Sequence, residues 1–380
     1  VPASFGRLVA IDVKPGAAGD SQSGLNLLNP RIYGRLADEG CGRSVAFIVI
    51  HPSSNFHGHY LVGPLEKRGC ALLALNTRYA GNDTTLLMER CIQDLGAGVA
   101  FLRGQGYKRV VLIGNSGGGS LAAFYQSQAE RLTLSSTPDG RPIDLAAADL
   151  PPADGLAMCA AHPGRAQVLT DWLDPSVIDE GDMLLRDPAL DMFNPWNGPP
   201  FKREWLERYR AAQQARNERI TEWALARLRA FEADADPEGP KDAAFLVFRT
   251  AADPRFVDLA LDPSDRKPGT TRGSARASNY GVLHTGRTCS LRSWLSQWSL
   301  RLSRADGPRC LERTSVPVLS VTYSADPVVF PSQVGQYTKA AGNRCRAHTI
   351  KGATHHMHAQ PRLIDELADV LVDWAKGLNR

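Results

Sequence analysis

The sequence predicts an α/β protein with a mainly parallel sheet flanked by helices. Three observations predict it. Apolar runs of strand length recur at 45–50 (VAFIVI), within 70–79 (CALLALNTRY) and at 110–113 (VVLI). Their residues are apolar one after another, as a strand buried on both faces requires. Helix-like stretches alternate with these runs over short links, the rhythm of strand–helix–strand units. The alternation breaks off after residue 163 and resumes at 316–327 (VPVLSVTYSADP) and 345–350 (CRAHTI), as if a segment were inserted into one sheet.

Taken in order, 6–13 (GRLVAIDV) and about 31–36 read as early strands joined by a turn-rich link, PGAAGDSQSG. The run 45–50 stops at His51-Pro52-Ser53-Ser54, and a helix is expected from about His57 to Arg68. Asp83 suits the N-cap of a helix over 84–103, striped by Met88, Cys91, Ile92, Leu95, Val99 and Leu102. After 137–155, a loop rich in Pro and Asp, GLAMCAAHP (155–163) reads as another buried strand. Within 165–312 the spacing predicts a long charged helix over about 200–235. Its apolar side would carry Trp205, Tyr209, Ala212, Ile220, Trp223 and Phe231. A loop follows at 262–279, then a helix at 290–303 with Trp294 and Trp298. The last helix starts near Pro361 and is striped by Leu363, Leu367, Val370, Leu371 and Trp374. The domain reading is a core of 1–164 and 313–380 with an inserted, largely helical cap at 165–312.

Composition narrows the function. Among 380 residues, 44 basic and 40 acidic side chains leave a net charge of +4, scattered along the chain, so no nucleic-acid footprint is expected. No apolar run has the length of a membrane span, and the first thirteen residues carry no signal-peptide pattern. Seven dispersed cysteines without a C-x-x-C pair fit free thiols in a reducing, cytoplasmic setting.

The chemistry centres on VVLIGNSGGGS, 110–120. A strand, then Gly114-Asn115-Ser116-Gly117-Gly118 (G-x-S-x-G), then LAAFYQSQAE with helical spacing, together describe a nucleophile elbow. Glycines relieve the crowding where strand folds back on helix, and the helix N-terminus favours a developing negative charge. A phosphate-binding turn is the bland alternative, but G-x-G-x-x-G and a Walker lysine are both absent. A serine hydroxyl needs a histidine to take its proton and a carboxylate to hold that histidine. The chain offers Asp326 after one late strand and His355 after the next.

With the order Ser116, Asp326, His355, the sequence resembles capped serine hydrolases of the α/β-hydrolase superfamily over about 1–165 and 312–380. The resemblance implies Ser116 as nucleophile, His355 as base and Asp326 as the orienting acid. His356 is the rival base, and Asp171 and Asp174 are alternative acids. It further implies an oxyanion hole from two backbone N–H groups. Gly117 supplies one. Relatives often carry His-Gly after the first central strand where this chain has His51-Pro52; proline cannot donate, so the other donor is expected from Ser53, with Ser54 behind it.

His51 reads as a loop-former, and Arg78 as a salt-bridged loop arginine near the rim. Phe256, Tyr280, Trp294 and Trp298 are expected in the small core of the cap or along an apolar pocket. His57 and His59, and the cluster His355, His356 and His358, lack convincing metal spacing, so neither a metal nor a cofactor is expected. The expected reaction is hydrolysis of a small-molecule carboxylic ester through an acyl-enzyme. Carbon–carbon cleavage of ring-cleavage products, amide or lactone hydrolysis, and acyl transfer would use the same residues. A non-catalytic ligand-binding relative is the alternative from another class. The sequence leaves the oligomeric state open.

Overall fold

The structure, a computed structural model, describes residues 6–15 and 30–378; most of the turn-rich link read at 15–24 lies outside them. Eight strands form one sheet. They are β1 (Arg7–Asp12), β2 (Arg31–Ala37), β3 (Val45–His51), β4 (Ala71–Asn76), β5 (Arg109–Asn115), β6 (Gly155–Cys159), β7 (Val318–Tyr323) and β8 (Cys345–Ile350). Their order across the sheet is β1-β2-β4-β3-β5-β6-β7-β8. β2 runs antiparallel to β1 and to β4, and every pair from β4 to β8 is parallel.

The continuous apolar runs are explained by burial on two faces. In β3, Ala46, Ile48 and Ile50 enter one core cluster while Val45, Phe47 and Val49 enter the other. The first cluster lies under α2 (Met88–Gly104) and α3 (Gly118–Glu130). The second lies under α1 (Val62–Glu66) and α7 (Pro361–Lys376), through Leu65, Leu367, Leu371 and Trp374. Each large aliphatic side chain so buried stabilises the fold by roughly 1.5–3 kcal/mol. The expected stripe of α2 is fully buried. Two boundaries differ. α1 is only one turn and a half, and α2 begins at Met88, so Asp83 is not its N-cap: its carboxylate is paired with Arg165 instead.

Between β6 and β7 the chain adds α4 (Arg165–Trp172), the long helix α5 (Arg203–Ala233) and two small two-stranded antiparallel sheets. Leu169, Ile220, Ala224, Leu228, Trp294 and Trp298 share an apolar cluster there. Val168, Trp172 and Phe256 pack against Val328, Val329 and Phe330, which follow β7. α5 departs from its expected stripe: Trp223 is exposed, while Gln213, Arg216 and Asn217 are buried. These polar side chains donate to backbone carbonyls at two helix ends, Asp171 and Trp298, and in irregular chain at Leu173, Asp174 and Phe248. The helix expected over 290–303 is one turn, Leu291–Ser293, that widens into a π-helix over Trp294–Trp298 and stops. Helix α6 (Pro331–Ala341) lies between β7 and β8. Among the described residues no helix is long and apolar enough to cross a membrane.

Gly118, at the start of α3, lies against β3: a Cβ there would sit 2.0 Å from the Ile50 carbonyl oxygen. Alanine is otherwise favoured over glycine in a helix by about 1 kcal/mol, so the sign of a substitution reports the contact. Gly118→Ala is expected to destabilise the protein by about 1–3 kcal/mol, read from the midpoint of urea denaturation. An unchanged or raised midpoint would show that the two backbones are not in contact.

Candidate active site

The sharp turn after β5 holds Ser116 at φ 55°, a left-handed conformation that a residue with a side chain adopts only when its surroundings impose it. Its N–H donates to the Cys159 carbonyl at the end of β6 (3.3 Å), and its own carbonyl accepts from Gly119 N–H (3.1 Å). A Cβ at Gly114 would come within 2.6 Å of Gly119 Cα, so glycine is needed where strand and helix cross. The Gly117 N–H, next after the serine, has no hydrogen-bond acceptor among the described residues.

His355, on the loop after β8, places Nε2 3.1 Å from Ser116 Oγ and Nδ1 2.6 Å from Asp326 Oδ2. Asp326, on the loop after β7, is buried. Its second oxygen accepts the N–H groups of Val328 (2.8 Å) and Val329 (2.9 Å), which hold the carboxylate in place. With Nδ1–H donated to Asp326, the neutral imidazole keeps Nε2 free to accept the serine proton. His356 packs its ring edge-on against His355 at 4.8 Å and has no hydrogen bond to Ser116. Asp171 is ion-paired with Arg255 (2.7 Å), and Asp174 accepts from Asn279 (2.8 Å), so both alternative acids are engaged elsewhere.

The loop after β3 differs from its expected arrangement. His51 Nδ1 accepts two backbone N–H groups, from Ser53 (3.1 Å) and Ser54 (2.9 Å). The Ser53 N–H assigned to the oxyanion is therefore turned onto the His51 ring, because the chain doubles back over that ring directly after Pro52. Arg78 is held by Asp94 through Nη2 (2.6 Å) and Nε (3.0 Å), a buried pair away from the cavity.

A cavity of about 430 Å³ opens over Ser116 and His355. Its walls include His51 and His162 and, from the inserted segment, Arg165, Trp172, Phe256 and Trp298. Of the four expected aromatics, Phe256 and Trp298 line this cavity, whereas Trp294 is in the apolar cluster and Tyr280 lies under the Arg249 guanidinium (4.6 Å). Sequence reading passed over His162 and Arg165. Both follow β6 by a few residues, and the carboxyl ends of parallel strands are where such sheets bind ligands; that placement was the available signal. Arg165 covers the Trp298 ring at 4.1 Å, pairs with Asp83 and donates to Ser53 Oγ (3.3 Å).

No protein-family model matches the sequence, and neither does any curated protein. Solved structures do resemble it. The structure of DcsB in complex with its substrate analogue superimposes with a TM-score of 0.53 at 12% identity, covering 97% of this chain and 98% of that one. The esterase domain of a Rhodothermus marinus protein gives 0.46 at 14% identity, covering 97% of each chain. The monoacylglycerol lipase of Paleococcus ferrophilus gives 0.46 at 12% identity, covering 92% of this chain and 99% of that one. At such identities the likeness concerns the fold. The mainly parallel sheet, the helices on both its faces and the strand–serine–helix turn after β5 are the architecture expected of the α/β-hydrolase fold.

Burial pushes the imidazole of His162 down to about 3, with the charge of Arg165 adding to the effect, and burial pushes His59 to about 3. His59 lies outside the cavity, its ring 4.9 Å from Phe56 and 4.2 Å from Tyr60. Unfolded, each imidazole takes up a proton near pH 6.5; folded, each does so only near pH 3. The unfolded state therefore binds more protons across that window. Their contribution is intact above pH 6.5 and is lost as pH falls, by about 1.4 kcal/mol per pH unit for each group. Replacing His59 with phenylalanine, uncharged at every pH, is expected to flatten the acid side of the stability profile by one such slope. Urea denaturation at several pH values checks it, and an unaltered slope would show that His59 is already protonated in the folded protein.

Proposed function

We propose that the protein is a serine hydrolase that cleaves a small-molecule carboxylic ester. The observation that carries this reading is the unbroken hydrogen-bonded series from Ser116 Oγ through His355 to Asp326, with the serine at the elbow and facing a cavity. Ser116 Oγ attacks the ester carbonyl while its proton passes to His355 Nε2. Asp326 holds the imidazole and stabilises the cation formed on it. The tetrahedral oxyanion is met by Gly117 N–H, the unengaged donor directly beside the nucleophile. As the C–O bond breaks, His355 returns its proton to the leaving alkoxide, which departs as an alcohol. Water then gives a proton to His355 and its hydroxyl to the acyl carbon. Ser116 recovers its proton, and the carboxylic acid leaves.

The size of the cavity supports a small molecule, since sites for such ligands span roughly 300–1,000 Å³. The seven free cysteines support a reducing compartment. Carbon–carbon, amide and lactone cleavage share the first step, and acyl transfer differs only in the acceptor of the second.

Fluorophosphonate labelling followed by intact mass tests the reading without knowledge of the substrate. A single adduct on the wild type and none on Ser116→Ala is expected; a well-folded wild type that takes no adduct refutes an activated serine. Asp326→Asn, which disturbs the imidazole tautomer, is expected to lower kcat on a short p-nitrophenyl ester by about 10³–10⁴-fold. A loss under about tenfold would remove Asp326 from the acid role.

A further inference from the structure

We propose that His51 is a catalytic residue whose Nε2–H gives the oxyanion its second hydrogen bond, in the place expected of the Ser53 backbone. The inference rests on the serine-hydrolase reading and concerns the same site.

Four observations carry it. First, His51 Nδ1 accepts from both Ser53 N–H and Ser54 N–H, so Nδ1 bears a lone pair and the neutral ring carries its proton on Nε2. Second, Nε2 lies beside the residue that follows the nucleophile. A Cβ built on Gly117 would be 2.9 Å from His51 Nε2 and 3.3 Å from His162 Nε2. The volume that a side chain at 117 would occupy is thus taken by imidazole, and the N–H of that same glycine is the first donor. Third, His51 lines the cavity together with Ser116 and His355, and no acceptor among the described residues takes its Nε2–H. Fourth, the loop has little else to offer: Pro52 has no N–H, and those of Ser53 and Ser54 are engaged.

The ring in effect hands the polarity of two backbone donors across to Nε2, and hydrogen bonds in series strengthen one another. Burial, then the charge of Arg165, holds His51 well below the usual imidazole range. The ring stays neutral, and Nδ1 stays an acceptor, throughout a catalytic cycle near neutral pH.

The test uses two substitutions that each retain half of the ring's function. In His51→Asn, Oδ1 stands where Nδ1 was and still accepts from the loop, but nothing stands at Nε2. In His51→Gln, the amide N–H reaches toward the Nε2 position, but the acceptor for the loop is gone. The readouts are the fluorophosphonate labelling rate of Ser116, kcat and KM on a short p-nitrophenyl ester, and the thermal midpoint. The phosphoryl oxygen of the adduct occupies the oxyanion's place, so labelling needs no natural substrate. His51→Asn is expected to keep its thermal midpoint and KM while labelling and kcat fall by about 10²–10³-fold. His51→Gln is expected to react faster than His51→Asn despite its loosened loop.

A merely structural role for His51 predicts the opposite order. The proposal is overturned if His51→Asn stays within about threefold of wild type, far short of a lost oxyanion donor, or outpaces His51→Gln. If neither variant folds, NMR of imidazole-¹⁵N-labelled wild type decides. A downfield shift of the His51 Nε2–H proton on adduct formation supports the proposal, and an unmoved signal overturns it. A wild type that takes no label overturns the hydrolase reading as well, whereas equal labelling of wild type and His51→Asn overturns only the role of His51.

Discussion

The close approach of two backbones at the elbow governs the site. β5 ends, the chain reverses at Ser116, and α3 returns across the sheet so closely that Gly118 has no room for a Cβ beside the Ile50 carbonyl. Glycines at 114 and 119 clear the rest of the crossing. This packing leaves Ser116 in its left-handed conformation, with its N–H on the Cys159 carbonyl of the neighbouring strand. It also brings the N-terminus of α3 behind Ser116, the proposed nucleophile, where its partial positive charge would favour a developing anion. The other partners then come from strands of the same sheet, Asp326 past β7 and His355 past β8. A hydrogen bond from Ala325 N–H to the Ala353 carbonyl (3.0 Å) ties the two loops together and sets the distance between carboxylate and imidazole.

Electrostatics in the cavity follow from one buried cation among neutral rings. Arg165 pairs with Asp83, lies over Trp298 and reaches Ser53 Oγ, so it joins the loops of the core to the inserted segment. Its charge adds to burial in keeping His51 and His162 neutral. Under the proposed mechanism this matters twice in a low-dielectric pocket: a neutral ring can donate without competing for the serine proton, and the base is His355, coupled to a carboxylate.

The inserted segment shows where pattern reading loses its grip. α5 was legible as a helix from its spacing and charge, but not in its orientation. Its buried side presents Gln213, Arg216 and Asn217 because it packs on helix ends and irregular chain whose carbonyls need donors. Apolar periodicity identifies a face that meets apolar surface; it is silent about a face that meets backbone. The stretch around Trp294 and Trp298 looked like a regular helix for the complementary reason: its apolar residues are buried, but through a π-turn and against several neighbours at once.

Patterns local to the chain were enough to specify the sheet and the elbow. Consecutive apolar residues imply strands covered on both faces, and G-x-S-x-G between strand and helix implies a turn that only glycines permit. The order Ser116, Asp326, His355 pointed to the series the folded chain assembles, because each residue sits directly past a strand end whose place in the sheet is set by that same alternation. Folding alone revealed the engagement of the Ser53 N–H by His51, the neighbourhood of Gly117, and Arg165 as the link between core and inserted segment. Each of these depends on which side chain fills a space left by a residue distant in sequence. No local pattern of apolar and polar residues records that, since it follows from how the finished backbone closes around its own gaps.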